Sequence, residues 1–557
     1  MNPQFPNPFP PPFRGTSQTP QPIPQTQQPL GYWESQFTPG AWQDPFPFPD
    51  WLGIACLVLF FPMLIWQRRR LKAQREAQGG RSRALNGDPL DDELFRWTKN
   101  DVYSARSLLA SVAGFGATGS GKSSGPGKWF GEAIVRHPRS SMLILAAKPE
   151  DAGEWRRYFA NADRLHDLVV FEPGGEWQFN LLDFIVKSGG SYRDVAKCLV
   201  AIGETLQPVH ARGGEDNKFF APFEERVMHD AAAMVHLGTG GLTIPDLQKF
   251  LLGVANTVPE MTLETWKAGF HNQILRAAWA AAKTAQQQAY YEVAKDTFVR
   301  ELPALADKTR SSGMAGIINK FHYMNTGIAR DLLTHGTNVT PLDSLERGKS
   351  VLVNTAPSEY GGNGSVVAAA WKWATQWSVL RRHAEPKDFF NVIFADEAPQ
   401  FVNAADSDYL AQCRSHLGCM IYFAQSRPSY YAALGGESGR HKADALLANF
   451  NLKIFNALGD TETAEWASDL VGREIKTLFG GSIAPQEGGL WEEAFGKQRV
   501  TSNFSTHFER IVEPNQLMHN LRTGGAANRY VVDSMLVKTG EPFSNGRNWM
   551  EVSFSQR

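Results

Sequence analysis

At 557 residues the chain has room for several domains, and its charged and hydrophobic fractions, 20% and 42%, are those of an ordinary globular protein. The formal net charge of −1 excludes a globally basic nucleic-acid binder, although a local basic channel stays open because binding follows where charge sits. Cys56, Cys198, Cys413 and Cys419 form no C-x-x-C pair; this removes zinc-ribbon and disulfide-scaffold classes and leaves reduced thiols in packed positions.

Residues 1–50 are rich in Pro, Gln and Phe and cannot bury enough surface to fold, so an extended or disordered tail is expected. It has no basic segment followed by an apolar run and is not a signal peptide. Residues 51–66 are apolar throughout and read as a transmembrane helix. The run is a little short of the roughly 20 residues a span needs, but Phe46 and Phe48 lengthen it and Trp51 and Trp66 suit the two interfaces. The alternative is a buried core helix. Pro62 kinks either one. Arg68, Arg69, Arg70, Lys72, Arg75, Arg81 and Arg83 follow at once, whereas Arg14 is the only base before it. The positive-inside rule then places the tail outside and the bulk of the chain in the cytoplasm. Residues 67–100 form a basic linker.

From about residue 101 the pattern becomes α/β. Residues 107–115, with Leu108, Leu109, Val112 and Phe115, read as a short buried strand running into Gly116-Ala117-Thr118-Gly119-Ser120-Gly121-Lys122-Ser123. This fits the phosphate-binding pattern G-x-x-x-x-G-K-[ST]. Its glycines let successive backbone N–H groups form an anion nest, and the helix start that follows adds its positive end. Lys122 is then placed for the β- and γ-phosphates of ATP and the Ser123 hydroxyl for Mg²⁺. The alternative is a chance Gly/Ser-rich loop. Gly125-Pro126-Gly127 falls where the first helical turns belong, which predicts a late or irregular helix start.

Residues 141–147 and 168–171 read as buried strands around a helix at 151–161, and strands alternating with helices imply a parallel sheet. Residues 189–328 change character to an all-α region, with helical runs at 194–206, 223–237, 246–252, 262–283 and 291–321 and an N-cap at Thr243 paired with Asp246. His229 and His236 share a helix face there; packed helix histidines are expected rather than a metal site, which needs more ligands. The sheet resumes with strands at 350–354, 389–394, 418–423 and 452–455, a helix at 366–383, and a last strand at 529–537. Residues 541–557 read as a polar tail. No internal repeat is present.

The strand at 389–394 runs into Asp396-Glu397. Asp396 suits Mg²⁺ and Glu397 the polarisation of an attacking water, as a Walker B element does. One strand later Gln425 is placed to sense a γ-phosphate or orient water; the alternative is a loop-start Gln bonded to backbone. Arg414, before that strand, suits either an arginine finger reaching a neighbouring subunit's nucleotide or a surface salt bridge.

The ordered set of short motifs resembles the type IV secretion coupling proteins, the TraG/TraD-type conjugative DNA-transfer ATPases, over residues 107–537. Beyond the P-loop it comprises 147–151 (AKPED), 179–183 (FNLLD), 306–311 (ADKTRS), 395–399 (ADEAP), 424–426 (AQS), 449–454 (NFNLKI) and 460–464 (DTETA). The resemblance implies a RecA-like P-loop domain in two parts, 101–188 and 329–540, with an inserted all-α domain at 189–328 facing the relaxosome. It also implies a ring, usually hexameric, on the bacterial inner membrane. There ATP hydrolysis drives export of single-stranded DNA with its relaxase through a type IV secretion channel, or recruits protein effectors to it. By similarity Arg414 and Gln425 match the family's arginine and glutamine pair. Members commonly have two membrane spans; this chain shows one, after its Pro-rich tail.

Overall fold

The computed structural model describes residues 88–206, 215–435, 438–484 and 499–557. The tail at 1–50, the span at 51–66 and most of the linker lie outside the described residues. Among the described residues no helix is long and apolar enough to cross a membrane.

In chain order the strands are β1 (Glu93–Arg96), β2 (Val102–Ser104), β3 (Val112–Phe115), β4 (Ser140–Leu145), β5 (Leu168–Phe171), β6 (Ser350–Val353) and β7 (Phe390–Ala395). They continue with β8 (Gly418–Ala424), β9 (Leu452–Phe455), β10 (Arg473–Ala484), β11 (Arg499–Arg510), β12 (Val531–Lys538) and β13 (Trp549–Ser555). The core is a nine-stranded sheet of spatial order β13-β12-β9-β3-β8-β7-β4-β6-β5. The seven from β9 to β5 are parallel. In β3, β4, β6, β7, β8 and β9 every residue is buried. That is the signature of a sheet covered on both faces. Alternate residues feed two separate cores. Phe115, Leu143, Ile393 and Tyr422 face one, and Val112, Ile144, Phe394 and Phe423 face the other. Trp371, on the helix Pro357–Arg381, seals the first core against Phe171 and Phe179. Trp155, on the helix Asp151–Asn161, packs on Phe394 in the second.

The sheet is mixed rather than parallel throughout, because β12 runs antiparallel to β9 and β13 antiparallel to β12. β13 lies in the segment expected as a polar tail. Its burial alternates as an edge strand's does, and this diluted its apolar signal. Two further pairings escaped the sequence reading. β1 pairs with β2, so the end of the expected linker is folded. β10 pairs with β11 along its whole length in a two-stranded ladder of its own.

The expected strand at 107–115 is shorter. Ser104 caps a helical turn at Ala105–Leu108, Ser111 takes a left-handed φ of 63°, and only Val112–Phe115 is extended. Between β5 and β6 the regular elements among the described residues are helices, joined by turns and loops with one isolated bridge, but two of the expected long helices are broken. The run at 262–283 divides at Gly269, which is extended and precedes the helix Phe270–Ala281. The run at 291–321 divides where Leu305 and Ala306 turn extended, before the helix Asp307–Met324. The helix expected at 366–383 begins earlier, at Pro357, with a break at Gly361. The cap on Thr243 is present, its side chain accepting from the Asp246 N–H. His236 hydrogen-bonds the Tyr192 hydroxyl at 3.0 Å and His229 lies 2.8 Å from Asp230. Cys198, Cys413 and Cys419 are buried free thiols, and burial pushes the Cys413 thiol up to about 12.

Candidate nucleotide-binding site

β3 is central in the sheet, so the loop it delivers is braced from both sides. On one side the Gly116 N–H donates to Ala424 O at the end of β8 (3.2 Å). On the other the Ala117 N–H donates to Ala457 O after β9 (2.9 Å) and the Asn456 N–H to Phe115 O (2.8 Å). Gly116 is required by close approach: a Cβ there would press on the side chains of Ser120 and Asn456. Gly119 and Gly121 take φ of 77° and 83°, a region that side chains with a Cβ rarely occupy. These turns form the concave N–H surface expected of an anion nest. The helix after it starts irregularly, as Gly125-Pro126-Gly127 requires. Residues Ser123–Gly127 form a π-helical turn, in which the Gly127 N–H donates to Lys122 O, and regular helix begins at Lys128.

The two carboxylates come from β7, two strands away. The Ser123 hydroxyl donates to the Asp396 carboxylate, across 273 positions of the chain. The Lys122 ammonium, 6% exposed, stands 3.6 Å from Glu397. The other Asp396 oxygen, Oδ1, is buried without a partner, and so is Ser120 Oγ. Leaving such atoms unpaired costs about 1–3 kcal/mol each, which a bound ligand would recover. Among the described residues no cluster of three or more His, Cys, Asp or Glu could hold a metal alone. A divalent ion here would need the Ser123 hydroxyl, the Asp396 carboxylate and phosphate oxygens together, and that donor set fits Mg²⁺ with a nucleotide.

Gln425 is exposed at the end of β8, next to the carbonyl that braces Gly116. Among the described residues its side chain makes no backbone bond. Arg414 is brought to neither group. It sits at the other end of β8, exposed, in the turn Cys413–His416, and among the described residues no acidic partner pairs with it. That turn is rigid: Leu417 has a left-handed φ of 53°, and Arg382 donates to His416 O (2.9 Å) and Leu417 O (3.1 Å).

Several of the remaining motifs hold backbone. Asp151 accepts from the Ala147 and Lys148 N–H groups, both at 3.1 Å, and its carboxyl is pushed up by burial and then by the nearby Asp396 charge. Asn180 and Asp460 cap the helices Leu181–Lys187 and Thr461–Val471. Sequence reasoning missed Asn456, and missed the far wall of the cleft at the P-loop. This wall is made by Thr523, Gly524, Gly525, Tyr530 and Gln556, facing residues 117–124 across about 460 Å³. The Gly524-Gly525 turn was its only signal.

Fold and site together define a P-loop α/β protein with a mixed central sheet. The same fold occurs in the bacterial conjugative coupling protein TrwBdeltaN70, unbound monoclinic form, at 13% identity and a TM-score of 0.54, covering 84% of this chain and 89% of that one. It also occurs in the plasmid coupling protein TrwB in complex with ADP and Mg²⁺, at 13% identity, a TM-score of 0.53 and the same coverage. TrwB with a non-hydrolysable ATP analogue matches at 14% identity, a TM-score of 0.52 and coverage of 82% and 88%. No curated protein sequence matches. Residues 392–520 match the family model described as the TraM recognition site of TraD and TraG, so that segment is similar to the TraG/TraD coupling proteins.

Proposed function

We propose that this chain is the ATPase motor of a type IV secretion or conjugation system, with a RecA-like nucleotide domain and an inserted all-α domain. Hydrolysis drives export of single-stranded DNA with its relaxase. The observation that supports this most is the convergence of Ser123 with Asp396 and of Lys122 with Glu397 at the end of a buried parallel sheet. In this reading the P-loop N–H groups and Lys122 hold the β- and γ-phosphates, and Ser123 and Asp396 hold Mg²⁺. The bound metal supplies neutralisation of the phosphate charge. Glu397 takes the proton of the attacking water, and Gln425 orients that water. Arg414 acts on the nucleotide of a neighbouring subunit, in a ring that is a homo-hexamer. The segment 51–66 anchors the ring in the inner membrane, with the bulk of the chain cytoplasmic. TrwB, of the same fold, is known in complex with ADP and Mg²⁺, and the matched TraM recognition segment supports contact with conjugation proteins.

The test is ATP turnover of the purified protein with and without single-stranded DNA. Turnover that rises with DNA supports the motor for DNA. Turnover indifferent to DNA would move the cargo to protein effectors, and no turnover under any condition would reject the motor.

A further inference from the structure

The P-loop accounts for phosphates, which leaves the nucleoside half of the ligand without an assigned site. We propose that the turn at 523–530, with Gln556 and Arg557, is that site: a wall that receives ribose and base, with the Tyr530 ring as the stacking surface. This rests on the nucleotide reading above and extends it.

Position comes first. Thr523, Gly524, Gly525, Tyr530 and Gln556 line the same cleft as Gly119 to Ser124, so a ligand whose phosphates fill the nest meets them next. The wall is latched to the P-loop helix rather than merely near it. The Gln556 carboxamide donates from Nε2 to Ser124 Oγ (2.6 Å) and accepts from the Gly525 N–H at Oε1 (2.7 Å). Lys128 Nζ donates to Gln556 O (3.2 Å), and a Cβ on Gly121 would run into Val532. Both amide ends of Gln556 are thereby used, which makes it a positioning residue that sets the width of the cleft.

Tyr530 is held at a cost. Arg529 and Tyr530 take consecutive left-handed φ of 55° and 60°, unusual for residues with side chains and very unusual in succession. Backbone strain of this kind persists where the surroundings over-determine it, and it clusters at ligand clamps. Here the Tyr530 N–H donates to Gly525 O (2.8 Å) and Tyr530 O accepts from the Gln556 N–H (2.9 Å). The Arg557 guanidinium lies 4.3 Å from the centre of the Tyr530 ring. The residue is still 36% exposed. A partly exposed aromatic residue, backed by a cation and fixed by its backbone, is a platform for a purine; stacking tolerates any base and gives affinity more than selectivity.

The experiment compares two ligands by calorimetric titration in the presence of Mg²⁺: ATP, and inorganic tripolyphosphate, which has the phosphates and no nucleoside. Tyr530→Ala is expected to weaken ATP about tenfold and leave tripolyphosphate within about twofold, with Tyr530→Phe close to wild type because the face and not the hydroxyl stacks. Arg557→Ala, at an exposed position, is expected to show a smaller loss in the same direction. It carries the test if Tyr530→Ala does not fold. Equal ATP affinity in wild type, Tyr530→Ala and Arg557→Ala overturns the proposal, as does an equal loss for both ligands, which would mean only that the P-loop wall had collapsed. A wild-type protein that binds neither ligand would instead reject the nucleotide reading itself.

Discussion

The two ends of β8 carry the two candidate residues of one motif pair, and they are built for different work. At the Ala424 end, apart from the exposed Ser123 and Gln425, the candidate catalytic and metal-binding side chains are buried or half-buried and lie close together. Lys122 is buried, Glu397 faces it, and Asp396 and Ser120 keep unpaired buried atoms. At the Gly418 end Arg414 points outward from a turn that Arg382 and the left-handed Leu417 pin in place, with no acidic partner among the described residues. Among the described residues no ion pair is formed by Arg414, so the surface salt-bridge reading finds no partner there. The strand between the ends spans about 20 Å at the rise of a β-strand. An arginine that far from Lys122 cannot serve the nucleotide of its own chain. One end gathers the candidate nucleotide-binding side chains, and the other presents the exposed arginine that the proposed ring would set against a neighbouring subunit.

The largest effect is expected at the Ala424 end. Lys122→Ala should reduce ATP turnover to background, because the buried cation facing the candidate phosphate position is gone, while circular dichroism and the melting temperature stay near wild type. Wild-type turnover in this variant would remove the P-loop assignment. Next comes the outward end. Arg414→Ala should lose about a thousandfold in a pure ring, as the removal of an arginine finger does. Mixing Arg414→Ala with Lys122→Ala subunits should restore part of the activity, since some interfaces then pair an intact Lys122 with an intact Arg414. A dead mixture whose subunits are shown to co-assemble would erase the contrast between the two ends.

The legible parts of this chain were those whose signal is local. Buried parallel strands announce themselves as apolar runs, and β5 and β9 lie within the limits read for them. The P-loop is legible because glycine, lysine and serine spacing encodes backbone geometry directly, down to the irregular helix start at Gly125-Pro126-Gly127. The illegible parts depend on a partner distant in sequence. β13 is polar on one face because it is an edge, so only its pairing with β12 reveals it. β10 and β11 pair with each other from Arg473 opposite Arg510 to Ala484 opposite Arg499, and neither carries a clean alternation of apolar and polar residues. Asn456 and Tyr530 look like any loop polar or strand-end aromatic until the fold sets them against the P-loop.

The smallest effect sharpens the Ala424 end alone. The Glu397 carboxylate lies 3.6 Å from Lys122, so it competes for the cation that a γ-phosphate would need. Two roles of Glu397 then pull apart in Glu397→Gln. Its amide cannot take a proton from water, so turnover should fall about a hundredfold, the scale of a lost general base. The same change removes a charge competing for Lys122 and leaves Asp396 with Ser123 untouched. ATP affinity, measured by titration with Mg²⁺, should accordingly hold or rise by a few-fold rather than drop. A variant that hydrolyses slowly and binds weakly would mean that Glu397 shapes the phosphate site instead of acting on water. The division of labour between the two carboxylates would then have to be reversed, with Asp396 tested as the base.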